Sequence, residues 1–425
     1  MNILIKNVHI QGEPGNVRKD IYIAGNRIAG IGSCPEDFRA ETVIDGSKKT
    51  IMPGLANAHT HAYMSVFRNY ADDIPFAEWL FEKINPIEDQ LTPEEGYWGN
   101  MLSFAEMIRT GTTCFADMHM ITKQSVKAAN DAGIRGAISR CVVGSDRNDP
   151  GFKRRFEECL DEMEYAKSIG SNALFMISPH AIYTCGPDVL RFCAEKSEEL
   201  DLPIHIHMAE TAQEFKDSME KYGCTPIEHI AECGILDRKV LMAHCVRLTE
   251  HDMELMAVPN VYVATNPSSN MKLANGFAPV PEMLSAGINV ALGTDSAASN
   301  NSLNMFNEMR MLSMIHKGTH EDALVLSAAD TLKIATENGY KAVGYEDGGK
   351  IEEGCLADVV LIDEEMPALK PNFDITSALV YSASGYEVSD VIIDGKPVMR
   401  NRELLTIDEE RLYYEIGRIT ANWPL

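Results

Sequence analysis

Long apolar runs, Cys-x-x-Cys pairs and an excess of basic charge are all missing from this chain. No stretch approaches the roughly 20 apolar residues a membrane-crossing helix needs. The ten cysteines are scattered, which removes zinc-ribbon and thioredoxin-type readings. Cys114, Cys141, Cys185 and Cys245 sit in or beside apolar segments and read as small, reduced core residues suited to a reducing cytoplasm. A formal net charge of −25 argues against a nucleic-acid backbone or an anionic membrane as partner. An anionic substrate group would therefore need locally placed arginines. No Gly-x-Gly-x-x-Gly follows an early strand, so the doubly wound dinucleotide-binding sheet lacks its phosphate turn. The opening "MNILIKNVHI" alternates as a strand does and has none of the features of a secretory leader, so a cytoplasmic location is expected. Internal repeats and low-complexity linkers are absent too.

What remains is a 425-residue chain, 45% hydrophobic and 24% charged, the composition of a globular protein larger than one ordinary small core. Between Ile51 and Ala298 eight short apolar or β-branched runs recur: "IMPGLANAH", "TTCFADMH", "RGAISRCVV", "ALFMISPHA", "LPIHIHMAE", "KVLMAHCV", "NVYVATNP" and "INVALGTDS". Stretches such as "TPEEGYWGNMLSFAEMIRTG" between them carry helical periodicity with start and stop residues. Eight strand-then-helix units predict an α/β (β/α)8 barrel over residues 51–348. Residues 1–50 and 349–425 read instead as short strands broken by turns. They are expected to combine into one small β-sandwich domain.

Barrel enzymes keep their chemistry at the C-terminal ends of the strands. Those ends carry His59 and His61 (strand one), His180 (four), His207 followed by Glu210 (five), His244 (six) and Asp295 (eight). One histidine at a strand end is ordinarily a hydrogen-bonded structural residue. Metal- and proton-handling side chains on five of eight ends are not so easily dismissed. His59 and His61 are two apart, so on a strand both rings face one way. His59, His61, His207 and Asp295 would give a divalent ion three nitrogens and one oxygen, leaving a position for water. Water so held has a pKa near ~7 instead of ~15.7. His205 makes a second His-x-His with His207 and is read as a less favoured ligand or as support behind the ligands. Strand four offers no lysine that could bridge two metals, so one ion is expected. Zinc suits these donors, and iron or manganese tolerates them. Glu210, just past strand five, suits a carboxyl that protonates a ring nitrogen while hydroxide adds to the neighbouring carbon. Its plain alternative is the start of the next helix. For His244, which could accept a hydrogen bond from the metal water, the alternative is a buried histidine bonded to backbone.

The ordered segments "MPGLANAHTHAYMSVFRN", "ISPHAIYTC", "HIHMAETAQEF", "LMAHCVRL", "NPSSNMKLANG" and "LGTDSAASNN" resemble the amidohydrolase superfamily. Within it they resemble the 5-methylthioadenosine/S-adenosylhomocysteine deaminases. The resemblance covers essentially the whole chain. It implies a single zinc on His59, His61, His207 and Asp295, with Glu210 passing protons to the purine and the leaving ammonia. It implies that His244 and Asp295 orient and deprotonate the attacking water. Trp79 and Glu88 match positions that hold the nucleoside, and His180 matches a purine-contacting position. Arg140 matches an arginine that meets the amino-acid carboxylate of S-adenosylhomocysteine. A second arginine is Arg155 in this reading, with Arg147 and Arg154 as alternatives in a loop that aligns poorly. Ser296 departs from the glycine many relatives carry after the metal aspartate, which leaves the exact base open. A homo-oligomer acting on a small nucleoside is expected. The readings kept beside it are a guanine, pterin or triazine hydrolase on the same metal barrel, a ring-opening amide hydrolase, and a metal-binding scaffold without catalysis.

Overall fold

The computed structural model describes the chain apart from residues 16, 122, 422, 424 and 425. Eight parallel strands follow in order around a barrel: Leu55–Thr60, Thr112–His119, Arg135–Val142, the broken pair Leu174–Phe175 and Ser178–Pro179, Ile204–Met208, Val240–His244, Val261–Thr265 and Asn289–Leu292. Strands one to four pair successively, and so do five to eight. Backbone bonds close both seams. The amides of His205 and His207 donate to Ile177 O (2.9 Å) and His180 O (3.0 Å), and those of Thr294 and Asp295 to His59 O (3.2 and 2.9 Å). The (β/α)8 barrel is present as expected. Its strands are buried along nearly their whole length, which is why they read as continuous apolar runs rather than alternating ones.

The helix Pro93–Arg109 shows how local sequence sets an element. The Thr92 hydroxyl accepts the Glu95 amide while the Glu95 side chain accepts that of Thr92, and Pro93 occupies the first turn, where its missing N–H leaves nothing unsatisfied. Its buried face carries Met101, Phe104 and Ile108. Phe104 packs on Phe115 of strand two with ring centroids 4.8 Å apart. Truncating so buried a ring to alanine costs about 3–5 kcal/mol.

Both chain ends feed one mixed sheet of nine strands. Asn2–Ile10 pairs antiparallel with Arg18–Ala24 and parallel with Thr42–Asp45 and Lys49–Pro53. Lys49–Pro53 in turn pairs antiparallel with Val359–Asp363, joining the two ends of the chain. The sheet has an apolar core of its own, with Ile3, Ile5, Ile21, Ile23, Val359 and Leu361. The hairpin between Val388–Ile393 and Lys396–Arg400 turns on Asp394 and Gly395, both at positive φ (52° and 68°), the two-residue turn that matches strand twist.

The run from Ile51 to His59 is not a single strand. It serves both sheets and breaks at Gly54, where a Cβ would lie 1.8 Å from Thr113 Oγ1. A buried ion pair ties the sheet to the barrel: Arg135 Nε meets Asp358 Oδ2 at 2.5 Å and Nη2 meets Asp394 Oδ1 at 2.8 Å. Losing Arg135 alone would strand Asp358 without its cation, at a cost of about 3–5 kcal/mol. The last helix, Glu409–Thr420, lies against Pro93–Arg109 and is held by Arg109 Nε on Glu409 Oε1 at 2.8 Å. No helix among the described residues is long and apolar enough to cross a membrane.

Candidate active site and metal centre

Four side chains from strands one, five and eight converge at the barrel mouth. His61 Nε2 lies 3.1 Å from His207 Nε2, and Asp295 Oδ1 lies 3.5 Å from His59 Nε2 and 3.4 Å from His61 Nε2. Donors at ~2.0–2.1 Å from a tetrahedral ion stand about 3.4 Å from one another, which is the spacing found.

The protons on these rings can be deduced. A carbonyl only accepts, so His61 Nδ1, 2.7 Å from Met118 O, and His207 Nδ1, 3.0 Å from His180 O, both carry hydrogen. Their Nε2 lone pairs are thereby free. For His59 the deduction runs through three residues. Ser139 gives its hydroxyl proton to Asp117 O at 2.6 Å. Its oxygen must then accept from His205 Nδ1 at 3.1 Å, which makes His205 Nε2 an acceptor for His59 Nδ1–H at 2.9 Å. His59 Nε2 is left as a buried lone pair with no hydrogen-bond partner. Three bare imidazole nitrogens and a carboxylate facing one point fit a divalent ion and nothing else in the protein's own chemistry. His205 stands behind His59 and does not line the cavity.

Electrostatics agrees with that donor set. Burial pushes His59 down to about 4 and His207 well below the usual histidine range, so both rings are neutral at pH 7. Burial alone would raise Asp295, but the close approach of the His59 ring, with His244 and His61 beside it, holds it well below the usual carboxylate range. Its other oxygen, Oδ2, accepts from Ser269 Oγ (2.6 Å) and Ser299 Oγ (2.7 Å), which leaves Oδ1 to face the histidines.

Strained backbone marks the same place. Ala209, His244, Cys245 and Asp295 all have positive φ (49°, 75°, 50° and 59°), each costing about 1–3 kcal/mol in a non-glycine residue. Cross-strand bonds such as Cys245 N on Met208 O (3.0 Å) and Val246 N on Ala209 O (3.0 Å) hold them there. The strain breaks the strand geometry at the residues where side chains must turn to the mouth.

A cavity of about 560 Å³ opens over the cluster. Glu210 is buried in its wall, its Oε1 accepting from Asn275 Nδ2 at 2.9 Å and its backbone amide donating to Glu214 Oε2 at 2.7 Å. Burial raises its carboxyl above the usual value, as a proton donor near neutrality needs. His244 Nε2 is 3.9 Å from Glu210 Oε2, and its Nδ1 bonds Asn270 Oδ1 at 2.9 Å. Burial would lower His244, but Glu210 and Asp295 raise it. His180, bonded through Nδ1 to Thr184 Oγ1 at 2.9 Å, is pushed down to about 3 by burial and by its histidine neighbours and stays neutral. Trp79 is buried in the wall, and Glu88 is bonded to the Tyr63 hydroxyl.

Of the residues singled out in the sequence, His61, Trp79, Glu88, Arg155, His180, His207, Glu210, His244, Asp295 and Ser296 line the cavity, and His59 lies beneath it. Arg140 is not brought to the wall: its guanidinium holds Glu158 at 2.8 Å and Cys141 O at 2.9 Å. Arg147 is engaged with Asp188 and Glu195, and Arg154 lies 3.8 Å from Glu158. The supporting Ser139, Ser269, Ser299, Asn270 and Asn275 were not legible as site residues. All but Ser139 lie within "NPSSNMKLANG" and "GTDSAASNN", and polar residues just past barrel strand ends were the available signal.

Residues 50–398 match the model of the amidohydrolase family. The chain is 45% identical to the 5-methylthioadenosine/S-adenosylhomocysteine deaminase of Caldanaerobacter subterraneus subsp. tengcongensis, over 99% of this chain and 98% of that protein. It is 42% identical to the 5'-deoxyadenosine deaminase of Methanocaldococcus jannaschii, over 98% of this chain and 100% of that one. A crystal structure of an adenosine deaminase from Xanthomonas campestris with bound zinc superposes with a TM-score of 0.91 at 31% identity, over 98% of this chain and 97% of that one. With the barrel, the converging donors and a match across the full length, the chain belongs to the amidohydrolase family.

Proposed function

We propose that the protein is a metal-dependent hydrolytic deaminase of adenosine-type nucleosides, 5'-methylthioadenosine, S-adenosylhomocysteine and 5'-deoxyadenosine among them. The reaction adds water at the amino-bearing ring carbon and releases ammonia and the inosine analogue. The observation that carries this reading is the meeting of three Nε2 lone pairs and Asp295 Oδ1 beside the buried Glu210 carboxyl. The names of full-length relatives support the substrate class.

His59, His61, His207 and Asp295 would hold one zinc per chain, which would supply Lewis acidity that lowers the pKa of a nearby water; iron and manganese are the alternatives. In this reading Glu210 gives its proton to the ring nitrogen next to the amino-bearing carbon. His244 and Asp295 take the proton of the attacking water, and the leaving amine departs with a proton returned through Glu210. Asn275 holds Glu210 Oε1, so that Oε2 is the oxygen left to face the ring. His180, kept neutral, meets the purine, while Trp79 packs on the nucleoside. Glu88 accepts from the ribose hydroxyls, a role its two oxygens allow. Arg155 lines the cavity and its side chain has no ion-pair or hydrogen-bond partner among the described residues, which favours it over Arg147 and Arg154 for a substrate carboxylate. Arg140 would have to release Glu158 to join it. The same reading divides the chain into residues 51–348 as the catalytic unit, with 1–50 and 349–425 supporting it, in a homo-oligomer.

The test is a turnover screen of zinc-loaded protein on adenosine, 5'-methylthioadenosine, S-adenosylhomocysteine, 5'-deoxyadenosine and guanine, following ammonia and the adenine absorbance. Ammonia from the adenosine compounds supports the proposal. Turnover of guanine alone, or of none of the panel, contradicts it.

A further inference from the structure

A second group of metal-binding side chains lies outside the site described above. Helix Ala212–Tyr222 ends at Gly223, and Cys224 leads through Thr225 into helix Pro226–Glu232. Ligand atoms of Cys224, His229 and Glu232 lie within 4.8 Å of one another. His229 and Glu232 are three apart on that helix and so share a face. The frame around them is firm. Thr225 and Glu228 cap each other, and Ser218 Oγ donates to Cys224 O at 2.9 Å.

An independent observation points to a ligand there. His229 is only 3% exposed, yet neither of its ring nitrogens has a hydrogen-bond partner. Its ring stacks on Tyr222 at 3.8 Å, and the Tyr222 hydroxyl is unpartnered as well. Every histidine at the barrel mouth has its Nδ1 bonded, whereas both ring nitrogens of His229 lack a partner. A buried polar group left without a partner costs about 1–3 kcal/mol, and such a group calls for an ion or water at that place.

We propose that Cys224, His229 and Glu232 form a second site, for a thiophilic divalent cation of the zinc class. Thiolate, imidazole and carboxylate are the donors zinc takes, with water completing a tetrahedron. Bonds of ~2.0–2.3 Å place such donors about 3.3–3.8 Å apart, and rotation of the exposed Glu232 side chain closes the remaining gap. The thiolate and carboxylate together offset the ion's charge. The ion would clamp the C-terminal end of helix Ala212–Tyr222, whose first turn carries Glu214, the acceptor for the Glu210 amide. Its effect therefore falls on the stability of this helix pair rather than on the chemical step.

Cobalt(II) reads this site separately, because the barrel-mouth cluster contains no sulfur donor. The full-length protein, freed of loosely held metal and titrated with cobalt, should develop the near-ultraviolet thiolate-to-cobalt absorption, saturating at one sulfur-bound cobalt per chain and raising Tm. Cys224→Ser, at a part-exposed position, should lose that absorption and one bound metal per chain while keeping catalytic turnover. Glu232→Gln should weaken the sulfur-bound cobalt about tenfold or more, or ~1.4 kcal/mol. No such absorption once the barrel-mouth site is saturated, an absorption undiminished in Cys224→Ser, or an unchanged affinity in Glu232→Gln would each overturn the proposal.

Discussion

Replacing His205 by alanine tests whether the order of protons behind the metal cluster matters. His205 touches neither the cavity nor the point where the donors meet; its Nε2 accepts the Nδ1 proton of His59 at 2.9 Å. Both residues are fully buried, so the variant leaves a polar N–H without an acceptor, costing about 1–3 kcal/mol. It also permits the tautomer that points a proton, not a lone pair, at the ion. Partners of this kind usually contribute 10–100-fold to metal affinity, or ~1.4–2.8 kcal/mol, which agrees with the burial argument. Zinc affinity measured by chelator competition should fall by that factor in His205→Ala. His205→Gln, whose amide oxygen reaches about as far as Nε2, should recover most of it, and Ser139→Ala should show a smaller loss in the same direction. Zinc affinity within about twofold of the parent protein in His205→Ala would refute the deduction of the His59 tautomer.

Other expected outcomes follow from the same geometry. Glu210→Gln should retain zinc and lose at least ~100-fold in turnover, which single-turnover kinetics and metal analysis check together. His61→Ala removes a donor and should empty the site, seen as zinc content falling by about one per chain. Arg155→Ala should impair turnover of S-adenosylhomocysteine far more than that of 5'-methylthioadenosine, whereas Arg140→Ala should lower Tm by freeing the part-buried Glu158. Glu308, buried and pushed up to about 7 by desolvation, keeps its proton in the native state over a range where the unfolded chain, with a pKa near 4.5, has lost it. Stability should therefore fall by about 3 kcal/mol as pH rises from about 4.5 to 7 through this group, and denaturant titrations of Glu308→Gln should lack that part of the slope.

Buried parallel strands announce themselves as apolar runs: seven of the eight barrel strands lie within the runs read from the sequence, and the first passes its run by one residue, Thr60. The candidate metal donors were legible for the same reason: a histidine or aspartate ending an apolar strand stands out against its neighbours. Harder to see was the double duty of the run from Ile51 to His59, because its break depends on Gly54 meeting Thr113 from another strand. The supporting hydroxyls and amides were hidden in another way. Ser139 lies within strand three and acts through His205, and Ser299 reaches Asp295 only because the chain turns back after strand eight. Such contacts are set by tertiary approach, which spacing along the chain does not encode. Arg140 makes the same point in reverse: its position in strand three was plain, but Glu158, on the following helix, decides where its guanidinium goes.

Stripping the metal and returning it in known amounts tests the central claim most directly. Protein dialysed against a strong chelator should lose deamination, and activity should return in proportion to zinc bound by His59, His61, His207 and Asp295, reaching its maximum at one such ion per chain. Full turnover by the stripped protein, or an unchanged response to zinc after His61→Ala, would contradict it.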